Sequence, residues 1–137
     1  VQAAKAAGAG LVLATYTFQK TAVGYRTMMG TGAGAAVAAV LAAGAEVVGA
    51  NCGTDLSLED YERLTAELVA AAAGRPVIVQ PNAGAPRLVD GRICYAESAG
   101  QFAAATPRFL LAGARMVGGC CGSTSAHIAA MAAILKS

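Results

Sequence analysis

Three of the four cysteines lie in glycine-flanked motifs, Gly49-Ala50-Asn51-Cys52-Gly53 and Gly118-Gly119-Cys120-Cys121-Gly122. Each motif follows a short apolar run. Thiolates are soft donors suited to zinc, and three protein ligands leave one tetrahedral position open, which a catalytic zinc needs and a structural zinc lacks. Adjacent cysteines point apart in a regular strand, so a turn must bring Cys120 and Cys121 onto one ion. Gly118, Gly119 and Gly122 supply that backbone freedom, and Gly49 and Gly53 do the same around Cys52. Zn–S bonds are about 2.3 Å long, so three β-carbons must crowd one small volume, and Ala50 and the glycines leave room for them. Zinc held by three thiolates is a poor Lewis acid for making hydroxide, because the sulfurs already donate heavily. It is better suited to hold a fourth, substrate thiol. A free thiol, with a pKa of about 8.5, is mostly protonated at neutral pH, and metal binding deprotonates it. The expected chemistry is S-alkylation by attack on an activated methyl group. A single cysteine after a strand reads as a small buried hydrophobe. The adjacent pair between glycines tips the reading to metal, since a packed core gains little from it. Cys94, in Arg92-Ile93-Cys94-Tyr95, lacks such a setting and reads as ordinary packing or loop.

The elements that carry these motifs alternate. Residues 10–15, 46–49, 75–80 and 114–118 are short, partly β-branched and bounded by Gly or Pro, as buried strands are. Between and after them, residues 32–43, 57–73, 97–112 and 124–136 have helical spacing and are rich in Ala and Leu. Ser57 with Asp60 forms a capping-box start, and Gly44, Gly74 and Gly113 stand where helices close. Residues 1–8 resemble the tail of a further helix. The order (α)-β-α-β-α-β-α-β-α, with a unit of roughly 30 residues, predicts a parallel sheet with right-handed crossovers. A doubly wound sheet and a (β/α)8 barrel both fit it locally. Four strands make half a barrel and the chain opens mid-unit, so the leading expectation is a severed (β/α)8 TIM barrel occupying residues 1–137 as one domain. In parallel α/β folds chemistry gathers at the carboxyl ends of the strands. Cys52 follows the second strand and Cys120-Cys121 the fourth. Asn82, in Pro81-Asn82-Ala83-Gly84, holds the matching place after the third, and residues 15–18 after the first.

Composition narrows the class. The 137 residues are 56% hydrophobic and 13% charged, and much of the apolar excess is alanine, which fits tightly packed helices. No apolar run approaches the ~20 residues of a membrane span. The net charge of +2 comes with scattered basic residues, against nucleic-acid binding. The N-terminus lacks the order of a signal peptide and does not start with Met, so the chain reads as a fragment or a processed product. Four cysteines without an export signal point to a reducing cytoplasm with free thiols.

The motifs Gly49-Ala50-Asn51-Cys52-Gly53, Pro81-Asn82-Ala83-Gly84 and Gly118-Gly119-Cys120-Cys121-Gly122, with His127-Ile128 after them, resemble the homocysteine S-methyltransferase domain. Related modules are the homocysteine-binding part of cobalamin-dependent methionine synthase and betaine–homocysteine methyltransferase. Ala14-Thr15-Tyr16-Thr17-Phe18 and Gly24-Tyr25-Arg26-Thr27-Met28-Met29-Gly30 look closest to the corrinoid-linked branch. The resemblance implies the second half, strands five to eight, of a (β/α)8 barrel. It also implies zinc ligands Cys52, Cys120 and Cys121, with Asn82 beside the metal, offering an oxygen when no thiol is bound, and Asn51 ordering the loop of Cys52, both asparagines as part of the substrate-binding site. The expected substrate is homocysteine or a similar small thiol, held as a zinc thiolate. The methyl donor would be a corrinoid, such as methylcobalamin on a partner domain or protein, or a methylfolate. The family's acidic residues that grip the amino group belong to the first half. A missing N-terminal half barrel, or a second copy, would then be a partner. A non-catalytic zinc-binding or assembly module, or an inactive fragment awaiting its partner half, is the alternative. Ser123-Thr124-Ser125-Ala126-His127 departs from the family's Thr-Thr-Pro-Glu-His run and should alter only the start of the last helix.

The remaining features read as structural. His127 is the sole histidine, so no histidine-based triad is available. Gly30-Thr31-Gly32-Ala33-Gly34 reads as a loop into the next helix because no Lys-Ser/Thr follows it. Tyr16, Phe18 and Tyr25 are expected to cover the core, and Met28-Met29 to pack in it.

Overall fold

The computed structural model describes residues 1–53 and 55–136. In chain order the elements are α1 (Gln2–Ala6), β1 (Leu13–Tyr16), β2 (Phe18–Thr21), β3 (Gly24–Thr27), α2 (Ala33–Ala42), β4 (Val47–Asn51) and α3 (Leu58–Ala71). There follow β5 (Val77–Gln80), β6 (Arg87–Val89), β7 (Arg92–Cys94), α4 (Ala99–Leu111), β8 (Met116–Val117) and α5 (Ser125–Lys136). Strands β1, β4, β5 and β8 form one parallel sheet in that order, with Leu13 beside Val47, Val48 beside Val77 and Ile78 beside Met116. The predicted α/β alternation and parallel sheet are present. Strand order follows chain order, without the reversal that marks a doubly wound sheet. No described helix is long and apolar enough to cross a membrane.

Two antiparallel hairpins were not foreseen. β2–β3 fills the connection from β1 to α2, and β6–β7 the connection from β5 to α4. The second had a readable signal. Asp90-Gly91 joins its strands with φ of 49° and 74°, the left-handed pair that a tight hairpin turn requires. Met28 and Met29 do not pack in the core as expected; they are 84% and 88% exposed, just beyond β3. The hairpin buries Phe18 and Tyr25 instead, as those aromatics were expected to do. Cys94 is neither core nor loop, for it lies exposed on β7 opposite Arg87.

Alternation along the strands creates the core. Val48 and Ala50 of β4, with Val77 and Val79 of β5, pack in one cluster with Tyr61, Leu64 and Leu68 of α3 and Phe102 and Phe109 of α4. On the opposite face β4 and β5 approach so closely that a β-carbon on Gly49 would lie 1.9 Å from the Ile78 carbonyl oxygen. Gly49 is thus required by backbone proximity in the strand, not by the loop of Cys52.

Helix starts are specified locally. Ser57 caps α3 and Asp60 returns the bond, as expected, and Ser98 with Gln101 repeats the device on α4. Asp60 does more than cap. It takes the Lys20 ammonium at 2.7 Å and the Tyr25 hydroxyl at 3.0 Å, tying β2 and β3 to the first turn of α3. Burial alone would raise its pKa, but Lys20, the Ser57 backbone N–H, Tyr25 and the Ser57 hydroxyl bring it down to about 2.

Two outcomes follow from this packing. Gly49→Ala is expected to destabilise the chain by about 3 kcal/mol in urea denaturation, because the clash is with backbone. Asp60→Asn should cost about 1–3 kcal/mol by weakening its bonds to Lys20 and Tyr25. The carboxylate's contribution is fully present above the ordinary carboxyl pKa of about 4 and disappears as pH falls through about 2, because the unfolded chain takes up the proton first. Denaturation midpoints measured across that window should fall less steeply in the variant than in the wild type.

Candidate metal centre

The carboxyl end of β5 organises the site. The Gln80 carbonyl accepts the Cys52 N–H at 3.1 Å and the Pro81 carbonyl accepts the Cys120 N–H at 2.8 Å. The Ala83 N–H returns a bond to the Cys121 carbonyl at 2.9 Å. Between them, buried Asn82 spans both cysteine loops with one carboxamide. Its Nδ2 donates to the Gly53 carbonyl at 3.0 Å, and its Oδ1 accepts the Cys121 N–H at 3.1 Å. Asn51 ends β4 one residue before Cys52, its backbone in register with Gln80.

These bonds bring the three expected thiols together. Cys52 Sγ lies 3.7 Å from Cys121 Sγ, Cys120 Sγ lies 4.0 Å from Cys121 Sγ, and all three fall within 4.8 Å of one another. Sulfurs bound to one tetrahedral zinc at about 2.3 Å stand about 3.8 Å apart, so the donor set fits such an ion in type and spacing. Gly53, with φ of 106°, and Gly122 use their backbone freedom as expected, but they are not alone. Cys52 itself adopts φ of 56°, a conformation uncommon for a residue with a side chain, while Gly118 and Gly119 keep negative φ. Gly122 has φ of 78°, and a β-carbon there would lie 2.2 Å from Cγ of Tyr95.

The electrostatics of three crowded thiols are unequal. Burial opposes ionisation of Cys52, yet the Gly53 N–H, Cys121, Asn82 and Cys120 outweigh it and hold its pKa below the usual thiol value. Cys121 moves the other way, up to about 11, because its hydrogen bond with Cys52 and the charge of Cys120 oppose a second negative charge. Charge on Cys52 is thus favoured over charge on Cys121. A cation is what would let the remaining protons leave.

Two phenols near the thiols were not singled out from the sequence. Tyr61, in the first turn of α3, is buried, and its hydroxyl has no hydrogen-bond partner among the described residues. Helical side chains lean toward the N-terminus, which directs Tyr61 to the carboxyl edge of the sheet. Burial first, then charge on Cys52, Cys120 and Cys121, raises its pKa far above the ordinary phenol value. Tyr95 directly follows β7 and is half-buried against the core. Its pKa is raised by burial, by charge on Cys121 and Cys52, and by a hydrogen bond with Cys121.

His127 is buried and structural. The Thr124 N–H donates to Nδ1 at 3.1 Å, so Nε2 carries the proton and donates to the Glu97 carbonyl at 2.9 Å. Its ring meets Phe102 edge-on at 4.9 Å. The altered Ser123–Ala126 run therefore leaves a histidine that clasps the start of α5 to the segment before α4. The Gly30 loop enters α2 through Gly32 as its N-cap, as expected.

Residues 1–135 match the family model described as homocysteine S-methyltransferase. The chain is also similar to the methionine synthase of Mycobacterium tuberculosis (strain ATCC 25618 / H37Rv), with 38% identity over 107 residues. The methionine synthase of Mycobacterium leprae (strain TN) gives the same identity over the same length. Each alignment covers 77% of this chain and 9% of the relative, so the chain spans a small part of the curated relatives it matches. With an α/β fold, a parallel sheet and a match over nearly its whole length, the chain belongs to the homocysteine S-methyltransferase family.

Proposed function

We propose that residues 1–137 form the second half, strands five to eight, of a (β/α)8 barrel that activates homocysteine, or a closely similar thiol, for methyl transfer. The observation that carries this reading is the convergence of three cysteine sulfurs within 4.8 Å at the carboxyl edge of a parallel sheet. The barrel half is supported by the exposure of the outer strands. β4 is buried almost throughout, whereas β1 and β8 are half-exposed and Leu11 and Leu13 are 60% and 44% open. Such edges need strands beside them, from an N-terminal half barrel or from a second copy.

Cys52, Cys120 and Cys121 would hold zinc. The ion supplies the charge that strips a substrate thiol of its proton near neutral pH and leaves its sulfur nucleophilic. Asn82 acts by holding the Gly53 and Cys121 backbones at a fixed separation, so that the two cysteine loops need no rearrangement to bind. Asn51 carries the strand into the left-handed turn at Cys52. Cys121, the most open of the three, faces solvent, from which substrate arrives. The substrate sulfur forms its bond to the methyl carbon as the donor's bond to that carbon breaks, the electron pair staying with the donor. His127 is not free to take the thiol proton, since its ring nitrogens are engaged by Thr124 and Glu97; the proton leaves to solvent or to a group outside these residues. The donor comes from outside these residues, as methylcobalamin on a partner domain or corrinoid protein, or as a methylfolate. A reducing compartment such as the cytoplasm keeps the thiols free.

Elemental analysis of the purified chain should find one zinc, lost in both Cys52→Ser and Cys120→Ser; full zinc in either variant would refute the three-thiolate centre. Zinc with no change in metal coordination on adding homocysteine, even beside the complementary half barrel, would favour a non-catalytic zinc module. Asn82→Ala should weaken zinc binding by about 10- to 100-fold in chelator competition. It should also destabilise the fold by about 2 kcal/mol, since a buried carbonyl and N–H lose their partner.

A further inference from the structure

The last rung of the sheet is polar on one face only. Val48, Ala50, Val77 and Val79 turn to the helices, so Asn51 and Gln80, paired in register, face the other way together with Gly49 and Ile78. Gly118 stands beside Gln80 on the next strand, its N–H bonded to the Val79 carbonyl at 2.9 Å. A β-carbon on Gly118 would lie 3.3 Å from Cγ and 3.6 Å from Nε2 of Gln80, so the glutamine side chain lies across the end of β8. Gly118 keeps negative φ, and the nearest atoms to that β-carbon all belong to Gln80. What the missing side chain provides is room for the glutamine. The carboxamides of this edge differ in use. Asn82 commits its donor and its acceptor to the two cysteine loops. The carboxamide of Gln80 is half-buried and has no hydrogen-bond partner among the described residues, and the same holds for Asn51 beside it. Two residues further in on the same face, Ile78 and Met116 are apolar and Gly49 has no side chain. Polar groups therefore stop at the carboxyl edge, where a barrel admits its substrate, and do not line the face that another half barrel would cover.

Resting on the thiol-activating reading above, we propose that Gln80 is a specificity-determining residue: its side-chain N–H group donates to the carboxylate of a thiol amino acid whose sulfur is held at the three cysteines. The backbone fixes the distance between the two ends, because the Gln80 carbonyl itself accepts the Cys52 N–H at 3.1 Å. Cys52 comes one residue after Asn51 and Cys120 two after Gly118. Strands rise about 3.3 Å per residue, which puts the carboxamide within reach of a head group three carbons from a bound sulfur. Of the two charged ends of such a substrate, the carboxylate is the one that needs a donor. Zinc with three thiolates carries net negative charge, which attracts an ammonium and repels a carboxylate. A carboxamide offers two N–H donors without adding a cation that would pair with the thiolates. A site built to bond a polar group discriminates against analogues that lack it, because its own donor is then left unmatched.

The test measures thiol binding to the zinc-loaded chain beside its complementary half barrel, by calorimetric titration with three probes. These are L-homocysteine, 4-mercaptobutyrate, which lacks the ammonium, and 3-aminopropanethiol, which lacks the carboxylate. Gln80→Leu removes the donor and keeps the backbone carbonyl that holds Cys52; Gln80→Glu keeps the shape and adds a negative charge. Gln80→Leu is expected to bind L-homocysteine and 4-mercaptobutyrate about tenfold more weakly, and 3-aminopropanethiol as the wild type does. Gln80→Glu should weaken the two carboxylates further and tighten 3-aminopropanethiol, with one zinc retained in both variants. An equal loss for all three thiols in Gln80→Leu would overturn the assignment, tracing the effect to the metal edge or to contact with the other half barrel. Wild-type binding of all three by both variants would overturn it too, as would a loss confined to 3-aminopropanethiol. A wild type that holds zinc but binds none of the three thiols would overturn the thiol-activating reading, and the assignment with it.

Discussion

The metal edge depends on four residues at the end of β5. Residues 80–83 run on from the last strand register and offer two carbonyls, one N–H and one carboxamide to the loops on either side. Cys52 comes from one loop and Cys120-Cys121 from the other, 68 and 69 positions later in the chain. Neither loop contacts the other through regular ladder bonds, because β4 and β8 are not neighbours; β5 stands between them. A parallel sheet alone would leave two loops about two strand spacings apart, roughly 10 Å. Sulfurs at 3.7 Å therefore need both loops to fold over the end of the middle strand. Asn82 holds them there because a single planar group carries both a donor and an acceptor.

Bringing thiols together has an electrostatic cost that the protein leaves standing. With three sulfurs in one small volume, Cys52 and Cys120 oppose a further charge on Cys121, whose pKa is raised accordingly. Strain adds to this at Cys52, whose left-handed backbone is uncommon outside functional turns. The rest of the site is rigid around that stress. Gly49 lets β4 lie against β5, Asp60 ties the first hairpin to α3, and His127 clasps α5 to the approach of α4. Preorganisation of this kind spends stability on geometry, and the apolar layer of Val48, Val79, Leu64, Leu68, Phe102 and Phe109 carries it.

Much of this was legible from residue order. The four parallel strands, the four helices between and after them and the Ser57 cap could be read from periodicity and punctuation. So could the candidate ligands, because Cys-Cys between glycines is hard to explain by packing. The hairpins were harder to see. β2–β3 has no strong alternation, and Asp90-Gly91 marks a turn only when its short flanks are already suspected to be strands. Met28 and Met29 looked like core because methionine usually is; nothing local says that the strand before them has already buried its inward residues. The phenols were invisible for a related reason. Tyr61 and Tyr95 lie 9 residues after Cys52 and 26 before Cys121, distances that carry no meaning until helix and hairpin are folded back.

The sequence by itself determined which atoms are available and on which edge they lie, since side-chain chemistry and strand-loop order are local properties. It determined membership in a parallel α/β class for the same reason. Tertiary structure decided everything that depends on separation in space. The 3.7 Å contact between the Cys52 and Cys121 sulfurs, the two hydrogen bonds of the Asn82 carboxamide and the seating of Tyr95 on Gly122 all join segments far apart in the chain. Motifs name donors; only the packing of one strand end between two loops gives them a common centre.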